Sequence, residues 1–180
     1  MEKLETERLI LRAWTEVDVD DLYEYARNPK IGPRAGWEPH KNKEESLEII
    51  QMFIRDGVEW AIECKLTGKV IGGIGCRKDL VRTCINAKNL GYVLSEDYWG
   101  LGLIPEAVNR ILEYCFNEDD VELVSIAHSF HNQNSRRVIE KCGFVYEGTL
   151  RKSTLFEGAA SDSLFYSLTR DEWSEMRGLV

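Results

Sequence analysis

The segment that most constrains the fold of this chain is a glycine-spaced turn at residues 98–107, Tyr-Trp-Gly-Leu-Gly-Leu-Ile-Pro-Glu-Ala. Strand-forming residues from Leu90 to Leu94 precede it, and apolar residues recur at helical spacing from Ile104 to Cys115. Gly100 and Gly102 have no Cβ, so the backbone can turn sharply there and its N–H groups can approach a ligand. Because the first N–H groups of a helix lack internal partners and lie at the positive end of its dipole, we interpret the turn as a site for a phosphate-bearing cofactor. An ordinary strand-to-helix turn is the alternative that a lone Gly-x-Gly leaves open.

Composition indicates one compact domain and disfavours several classes of function. The 180 residues suffice for a core that needs no metal or disulfide staple, so we expect a single domain over residues 1–180. The net charge of −8 and the pI near 5.0 disfavour a nucleic-acid surface and favour cationic substrates. The chain has five cysteines, an odd number without short paired spacings, which indicates reduced thiols. Since neither a signal-peptide pattern nor a run of about 20 apolar residues occurs, we expect a cytoplasmic protein with no membrane partner.

Two alternating segments, at residues 60–65 and 69–76, flank a Thr67-Gly68 turn and predict a β-hairpin. The Gly72-Gly73 pair in its second strand indicates a bulge or a close approach to the backbone. It is not the start of a dinucleotide site, because no helix follows and the full glycine fingerprint is missing.

The remaining elements indicate a mixed α/β domain. The strand before the glycine turn, the helix after it and a strand at residues 122–128 form a crossover, which predicts a parallel strand pair. Further segments predict an opening strand at residues 8–14, helices at 18–27, 43–54 and 136–141, and closing strands at 144–148 and 164–169.

Five motifs occur in a fixed order along almost the whole chain: Thr6 to Arg12; Trp60-Ala61-Ile62 with Gly68 and Ile71-Gly72; Gly91 to Leu94; Tyr98-Trp99-Gly100-x-Gly102 with Glu106-Ala107; and Asn132-x-x-Ser135 continuing to Val138, Glu140, Lys141, Gly143 and Phe144. With these motifs the chain resembles the GNAT superfamily of acyl-CoA-dependent N-acyltransferases, in particular the branch of the ribosomal-protein N-terminal (alanine) acetyltransferases. The resemblance implies an α/β (α+β) fold with a mixed, mostly antiparallel twisted sheet and helices on both faces. A central parallel strand pair is expected to splay apart and admit CoA.

The resemblance also implies where acetyl-CoA, the expected cosubstrate, binds. Backbone amides from Gly100 to Ile104 are expected to cradle the pyrophosphate, and the strand edge at Val93 and Leu94 to pair with the pantetheine arm. Trp99 and Ile104 depart from the side chains usual in the superfamily's turn, so binding is expected to depend on backbone amides. The expected cofactor-binding residues are Val93, Leu94, Trp99, Gly100, Leu101, Gly102, Leu103, Ile104, Asn132 and Ser135.

Asn132 and Ser135 have two interpretations that the residues alone leave open. The resemblance implies a polar contact between Asn132 and the cofactor arm, and it places the Ser135 hydroxyl near the leaving thiolate, where it could return a proton to sulfur. Both residue types are also favoured as N-terminal helix caps without any ligand.

Transfer to an amine requires a base, because a protonated amine has no lone pair. Glu59, Glu63, Glu157 and Asp162 lie on segments that could border the cleft, and the sequence does not choose among them. Most carboxylates are solvated surface charges, which is the alternative for each of the four. We name Glu63, together with Ser135, as the candidate catalytic residues.

A turn-rich loop at residues 31–40 holds two candidate substrate-binding residues, Trp37 and His40. A tryptophan that anchors such a loop to the core is at least as common. His128, His131 and Cys142 have a spacing that fits no closed zinc pattern, so no metal is expected.

The resemblance, taken with these patterns, implies an enzyme, an acetyl-CoA-dependent N-acetyltransferase that transfers the acetyl group directly to a primary amine, with a protein N-terminus as the favoured acceptor. A small cationic molecule, such as a polyamine, an antibiotic or a metabolite, is the alternative acceptor. A non-catalytic acyl-CoA-binding module is the alternative class of protein. No nucleic-acid partner is expected, and both a monomer and a homodimer fit the sequence.

Overall fold

The computed structural model of the chain describes residues 1–179, which form one eight-stranded sheet with helices on both faces. The strands are β1 Leu4–Glu5, β2 Leu9–Ala13, β3 Glu59–Cys64, β4 Val70–Lys78, β5 Ala87–Leu94, β6 Leu123–Ser129, β7 Val145–Phe156 and β8 Ala159–Thr169. The helices are α1 Val19–Ala26, α2 Gly32–Ala35, α3 Lys43–Asp56, α4 Leu103–Asn117, α5 Gln133–Lys141 and α6 Arg170–Met176. The order of the strands in the sheet is β1-β2-β3-β4-β5-β6-β8-β7. Strands β5 and β6 are parallel, and the other neighbouring strands are antiparallel.

Strands β5 and β6 separate before either strand ends. Their pairing runs from Ala87 opposite Leu123 to Leu90 opposite Ile126 and extends no further. Beyond that point residues 91–94 still pair with β4, and residues 127–129 still pair with β8. A wedge-shaped gap therefore opens in the centre of the sheet, and both the predicted crossover and the splayed parallel pair are confirmed.

Each face of the sheet packs against its own helices because side chains alternate along the strands. On the face with the larger hydrophobic cluster, buried residues of the central strands pack against the apolar stripe of α4 and against Ile139 of α5. On the opposite face, a smaller cluster forms where Trp14 and Ala61 pack against Leu22 and Tyr25 of α1 and Ile50 of α3. The N-terminus of α4 and the helices α1 and α3 thus lie on opposite sides of the wedge. Among the helices of residues 1–179, none combines the length and the apolar composition that crossing a bilayer requires.

The predicted β3–β4 hairpin is confirmed, and its glycine pair has both of the expected features. The register of β3 against β4 shifts between Ile62 and Glu63, which is a bulge. A Cβ on Gly72 would lie 2.3 Å from the carbonyl oxygen of Val93, so β5 approaches this position too closely for any side chain.

The end of the chain differs from the sequence-based expectation. Strands β7 and β8 are much longer than predicted, and their register shifts twice, at Tyr146/Gly148 and at Leu150/Thr154. Strand β7 is a largely exposed edge strand, so apolar alternation, the usual signal, is weak along it. Helix α6 was not predicted, although Thr169 and Glu172 form a capping box that is recognisable in the sequence.

Candidate active site

Backbone N–H groups converge at the start of α4. Gly100 and Gly102 have φ angles of +77° and +75°, in the left-handed region that glycine enters without strain. Gly102 is the N-cap of α4, and Glu106 N–H donates the helix's first backbone hydrogen bond, to the Gly102 carbonyl. Within residues 1–179, the N–H groups of residues 100–104 donate to no acceptor. Together with the helix dipole they make the start of α4 a candidate anion-binding site.

Residues from the start of the chain hold this loop in place. The Glu106 carboxylate accepts hydrogen bonds from the N–H of Arg8 at 2.9 Å, from Arg8 Nε at 2.7 Å and from the Thr6 hydroxyl. Arg8 Nη1 also donates to the carbonyl of Leu101 at 2.9 Å. Burial acts to raise the pKa of Glu106, but these hydrogen bonds outweigh it and lower the pKa, so the carboxylate stays charged. The sequence did not predict these hydrogen bonds, because Thr6 and Arg8 lie about a hundred residues before the groups that they contact.

A cleft of about 1180 Å³ extends from residues 100–104 (the amide loop) through the wedge between β5 and β6 to the face that carries α1 and α3. Nine of the ten expected cofactor-binding residues line it: Val93, Leu94, Trp99, Gly100, Gly102, Leu103, Ile104, Asn132 and Ser135. Leu101 does not, since its side chain is exposed and its carbonyl is taken by Arg8. The carbonyl of Leu94 is also taken, by Trp99 Nε1 at 2.9 Å. Arg137 and Lys141 of α5 add positive charge to the lining of a chain whose net charge is −8.

Helix α5 begins at the cleft and separates the two interpretations of Asn132 and Ser135. The Asn132 side chain is the N-cap and accepts from the N–H of Ser135 at 3.2 Å. The Ser135 hydroxyl does not cap the helix but lies 2.9 Å from the phenol oxygen of Tyr92 on β5. Burial raises the pKa of Tyr92, so its phenol stays protonated and can donate to Ser135. The phenol oxygen also lies 3.3 Å from the Ser135 carbonyl, and when the phenol donates to the hydroxyl instead, the Ser135 proton is free to point into the cleft.

Glycines form the floor of the cleft on the α1 and α3 side. Glu59, Gly75 and Gly91 are paired across β3, β4 and β5 and therefore share one face. A Cβ on Gly75 would lie 2.1 Å from a carboxylate oxygen of Glu59, so the side chain lies flat across the glycine towards β5. A Cβ on Gly91 would have no atom within 4 Å, which leaves open space at the end of the row.

Glu59 is the candidate base that the structure brings into the cleft. Its side chain is 13% exposed, and Arg77 Nη2 lies 3.2 Å from its Oε2. Burial raises the pKa of Glu59 to about 7, and the neighbouring guanidinium, more than half exposed, only partly offsets this. Burial, and to a lesser extent the negative charge of Glu59, raises the pKa of the Tyr25 phenol on α1. A carboxyl that titrates near neutral pH beside an open cavity is suited to accept a proton.

The candidate catalytic residue Glu63 lies on the same strand as Glu59 but pairs with Arg12 outside the cleft. Glu63 does not line the cleft, because its carboxylate accepts a hydrogen bond from Arg12 Nε at 2.5 Å. Arg12 in turn makes a bidentate ion pair with Asp18, so the three residues join β2, β3 and the start of α1. Glu157 and Asp162 also lie outside the cleft lining. They pair with Arg34 and with the N–H of Lys152, respectively.

The two candidate substrate residues both line the cleft. The Trp37 ring packs on Gly32, where a Cβ would lie 2.5 Å from it, and its centroid is 5.2 Å from that of His40. His40 Nδ1 lies 2.8 Å from Ser46 Oγ, and burial lowers the pKa of the imidazole. Trp37 therefore anchors its loop and faces the cleft at the same time.

Known proteins share the motifs and the fold. The family model described as an acetyltransferase (GNAT) domain matches residues 8–145. The chain belongs to the GNAT acetyltransferase family. It is an N-acetyltransferase, and acetyl-CoA is its acetyl donor.

Relatives cover nearly the whole chain. The uncharacterized N-acetyltransferase YoaA of Bacillus subtilis is 28% identical over 172 residues, which are 93% of this chain and 96% of YoaA. The [ribosomal protein uS5]-alanine N-acetyltransferase of Escherichia coli is 24% identical over 184 residues, covering 97% and 94%. The crystal structure of spermidine N-acetyltransferase from Vibrio cholerae with CoA and spermine has a TM-score of 0.76 at 20% identity, covering 93% and 99%. GNAT relatives thus include proteins named for a protein acceptor and for a polyamine.

Gly102→Val tests the amide loop. Valine must either adopt the left-handed φ of +75° under strain or displace the loop. We expect the Kd for CoA, measured by calorimetry, to rise roughly tenfold or more, since one hydrogen bond to a charged group contributes about 1.5–3 kcal/mol. Gly68→Val is the matched control, because Gly68 has a φ of +69° in the β3–β4 turn with no atom near its Cβ position. Equal CoA affinities for the two variants would contradict the loop's role.

Glu59→Gln tests the buried carboxylate through stability. The folded pKa of about 7 lies above the ordinary 4.5, so the folded state binds the extra proton and stability falls as pH rises from 4.5 to 7. Glutamine removes this dependence, and the variant should be more stable than the parent at pH 8 by up to about 3 kcal/mol, with little difference near pH 4.5. Thermal unfolding from pH 4.5 to 8 measures this. Glu63→Gln, which breaks the pair with Arg12, should instead lose stability. A pH-independent difference between Glu59→Gln and the parent would show that Glu59 is not buried as described.

Proposed function

We propose that this enzyme acetylates the α-amine of a protein N-terminus, with the pyrophosphate of acetyl-CoA held by the N–H groups of residues 100–104. The observation that carries the proposal is the continuity of one cleft. It joins the unpartnered amides, the wedge between β5 and β6, and the Ser135 hydroxyl. The extended pantetheine arm matches the gap between two strands, and Arg137 and Lys141 add positive charge for the phosphates.

In the proposed reaction the amine attacks the thioester carbonyl directly. Positioning the amine against the thioester supplies much of the rate, because it replaces an encounter in solution. When the C–S bond breaks, Ser135 gives its hydroxyl proton to the CoA sulfur and regains the proton that the amine nitrogen loses. Tyr92 holds the serine oxygen from the other side. No cysteine nucleophile is needed, and the cleft lining contains none.

A protein N-terminus is favoured as acceptor by the near full-length similarity to the uS5-alanine acetyltransferase of E. coli. The net charge of −8 and the fold shared with a spermidine acetyltransferase support a small cationic acceptor as the second candidate. The cleft contains both a hydroxyl and a carboxylate suited to proton transfer, which favours an enzyme over a non-catalytic binding module.

Thiol release tests the proposed function. The protein is incubated with acetyl-CoA and, separately, with N-terminal peptides, polyamines and aminoglycosides, and free CoA is recorded by thiol reagent. We expect peptides with a free N-terminus to release CoA faster than the other amines and far above hydrolysis. Turnover with polyamines alone would assign the second candidate, and no turnover above hydrolysis with any amine would contradict an enzyme.

Ser135→Ala tests the proton donor. Because Asn132 is the helix cap, the variant should keep its melting temperature and its affinity for acetyl-CoA while kcat falls about 100-fold, as expected for loss of a general acid. Asn132→Ala serves as the comparison, and it should lower stability by about 1 kcal/mol through loss of the cap. An unchanged kcat in Ser135→Ala would remove the serine from the mechanism.

A further inference from the structure

The wall above the glycine floor contains a polar group that no residue among 1–179 pairs with. Trp14 is 3% exposed and lines the cleft, yet its Nε1–H has no hydrogen-bond partner within residues 1–179. A buried N–H without an acceptor costs about 1–3 kcal/mol, so such groups are rare in folded proteins unless a ligand or a water pairs with them. The other buried indole without a partner, Trp173, packs against Phe116 in the core and does not line the cleft.

Trp14 and Glu59 meet at the same place on the floor. Trp14 Cζ2 and Glu59 Oε1 both lie 3.4 Å from the point that a Cβ on Gly73 would occupy. Cζ2 is two bonds from Nε1 in the indole, so the missing Cβ leaves a hollow between the edge of Trp14 that carries the N–H group and a carboxylate oxygen of Glu59. Apolar side chains border it on the Trp14 side, since Trp14 packs against Phe53 at a tilted angle with ring centroids 5.5 Å apart, and Leu22 and Met52 also line the cleft.

We propose that Trp14 and Glu59 form the acceptor subsite and select an amine that carries a carbonyl on the adjacent carbon, the α-aminoacyl group. Glu59 binds the ammonium and takes its proton, and the Trp14 indole N–H donates to the carbonyl oxygen. This inference rests on the proposed function and refines it. A polyamine offers the ammonium but no hydrogen-bond acceptor, so it leaves the buried indole unpaired.

The proton balance of this arrangement is complete. The ammonium transfers one proton to the Glu59 carboxylate, and the neutral amine then attacks the acetyl carbonyl. A second proton leaves the nitrogen when the C–S bond breaks and reaches the CoA sulfur through Ser135. Glu59 returns its proton to solvent through the open side of the cleft above Gly91, where no atom lies within 4 Å of a Cβ position.

The experiment compares two acceptors of similar size. Alaninamide has the carbonyl, isopropylamine lacks it, and each is assayed with Trp14→Phe, Glu59→Gln and the parent enzyme. Phenylalanine keeps an aromatic ring and removes the N–H group together with part of the indole's volume, and the loss of volume should affect both acceptors alike. Ratios between variant and parent for one acceptor cancel the difference in amine pKa. Trp173→Phe is the matched control, because it removes the other unpartnered indole N–H far from the cleft.

We expect Trp14→Phe to lower kcat/KM for alaninamide about tenfold, the value of one hydrogen bond, and to change kcat/KM for isopropylamine less than about twofold. Glu59→Gln should lower kcat/KM for both acceptors by about 100-fold or more, with unchanged CoA affinity. The rise of kcat/KM with pH through about 7 should be absent from that variant. Trp173→Phe should match the parent with both acceptors.

Three results would overturn the inference. One is a Trp14→Phe variant that binds CoA normally and either loses kcat/KM equally for both acceptors or loses none. Another is a Glu59→Gln variant that retains activity within a few-fold and keeps the same pH profile. The third is a parent enzyme that binds CoA and prefers isopropylamine to alaninamide at a pH where both are partly neutral. A parent that binds no CoA, or that releases none of it with either amine, would instead contradict the proposed function itself.

Discussion

The parting of β5 from β6 beyond Leu90 and Ile126 is the constraint on which the rest of the site depends. An unpaired strand edge within a sheet leaves backbone groups without partners, and it persists here because β4 and β8 hold the two strands from outside. The gap connects the two faces of the sheet. The amide loop at the start of α4 opens on one side of it, and the glycine floor lies on the other. Without the gap, the anion site and the carboxylate would belong to separate surfaces.

Several locally unfavourable features lie along this one cleft. They are the N–H groups of residues 100–104, the desolvated carboxylate of Glu59 and the indole N–H of Trp14. Each of these features costs free energy in the folded protein, and each is complementary to a group of acetyl-CoA or of the proposed aminoacyl acceptor. Such a concentration of unsatisfied groups is typical of a binding site, where a fold tolerates strain that it avoids elsewhere.

The parts of this site that local sequence patterns specify were predictable. The glycine turn and the crossover follow from glycine positions, strand formers and helical spacing, whereas the family motifs implied CoA and the residues expected to bind it. Which of the two carboxylates on β3 enters the cleft was not predictable, because Glu59 and Glu63 lie on the same face of the strand and alternation cannot distinguish them. What separates them is which end of the strand borders the wedge. That depends on the pairing of Glu59 with Gly75 and on the distant Arg12 that holds Glu63.

The most direct test of this account is a crystal structure of the enzyme with a bisubstrate analogue, CoA joined through an acetyl linker to the amine of an alanyl peptide. The account predicts pyrophosphate oxygens within about 3 Å of the N–H groups of residues 100–104, the linker in the wedge, and the peptide nitrogen within hydrogen-bond reach of Glu59. The first peptide carbonyl should lie against Trp14 Nε1. A pyrophosphate bound away from the start of α4, or a peptide nitrogen on the far side of the sheet from Glu59, would contradict it.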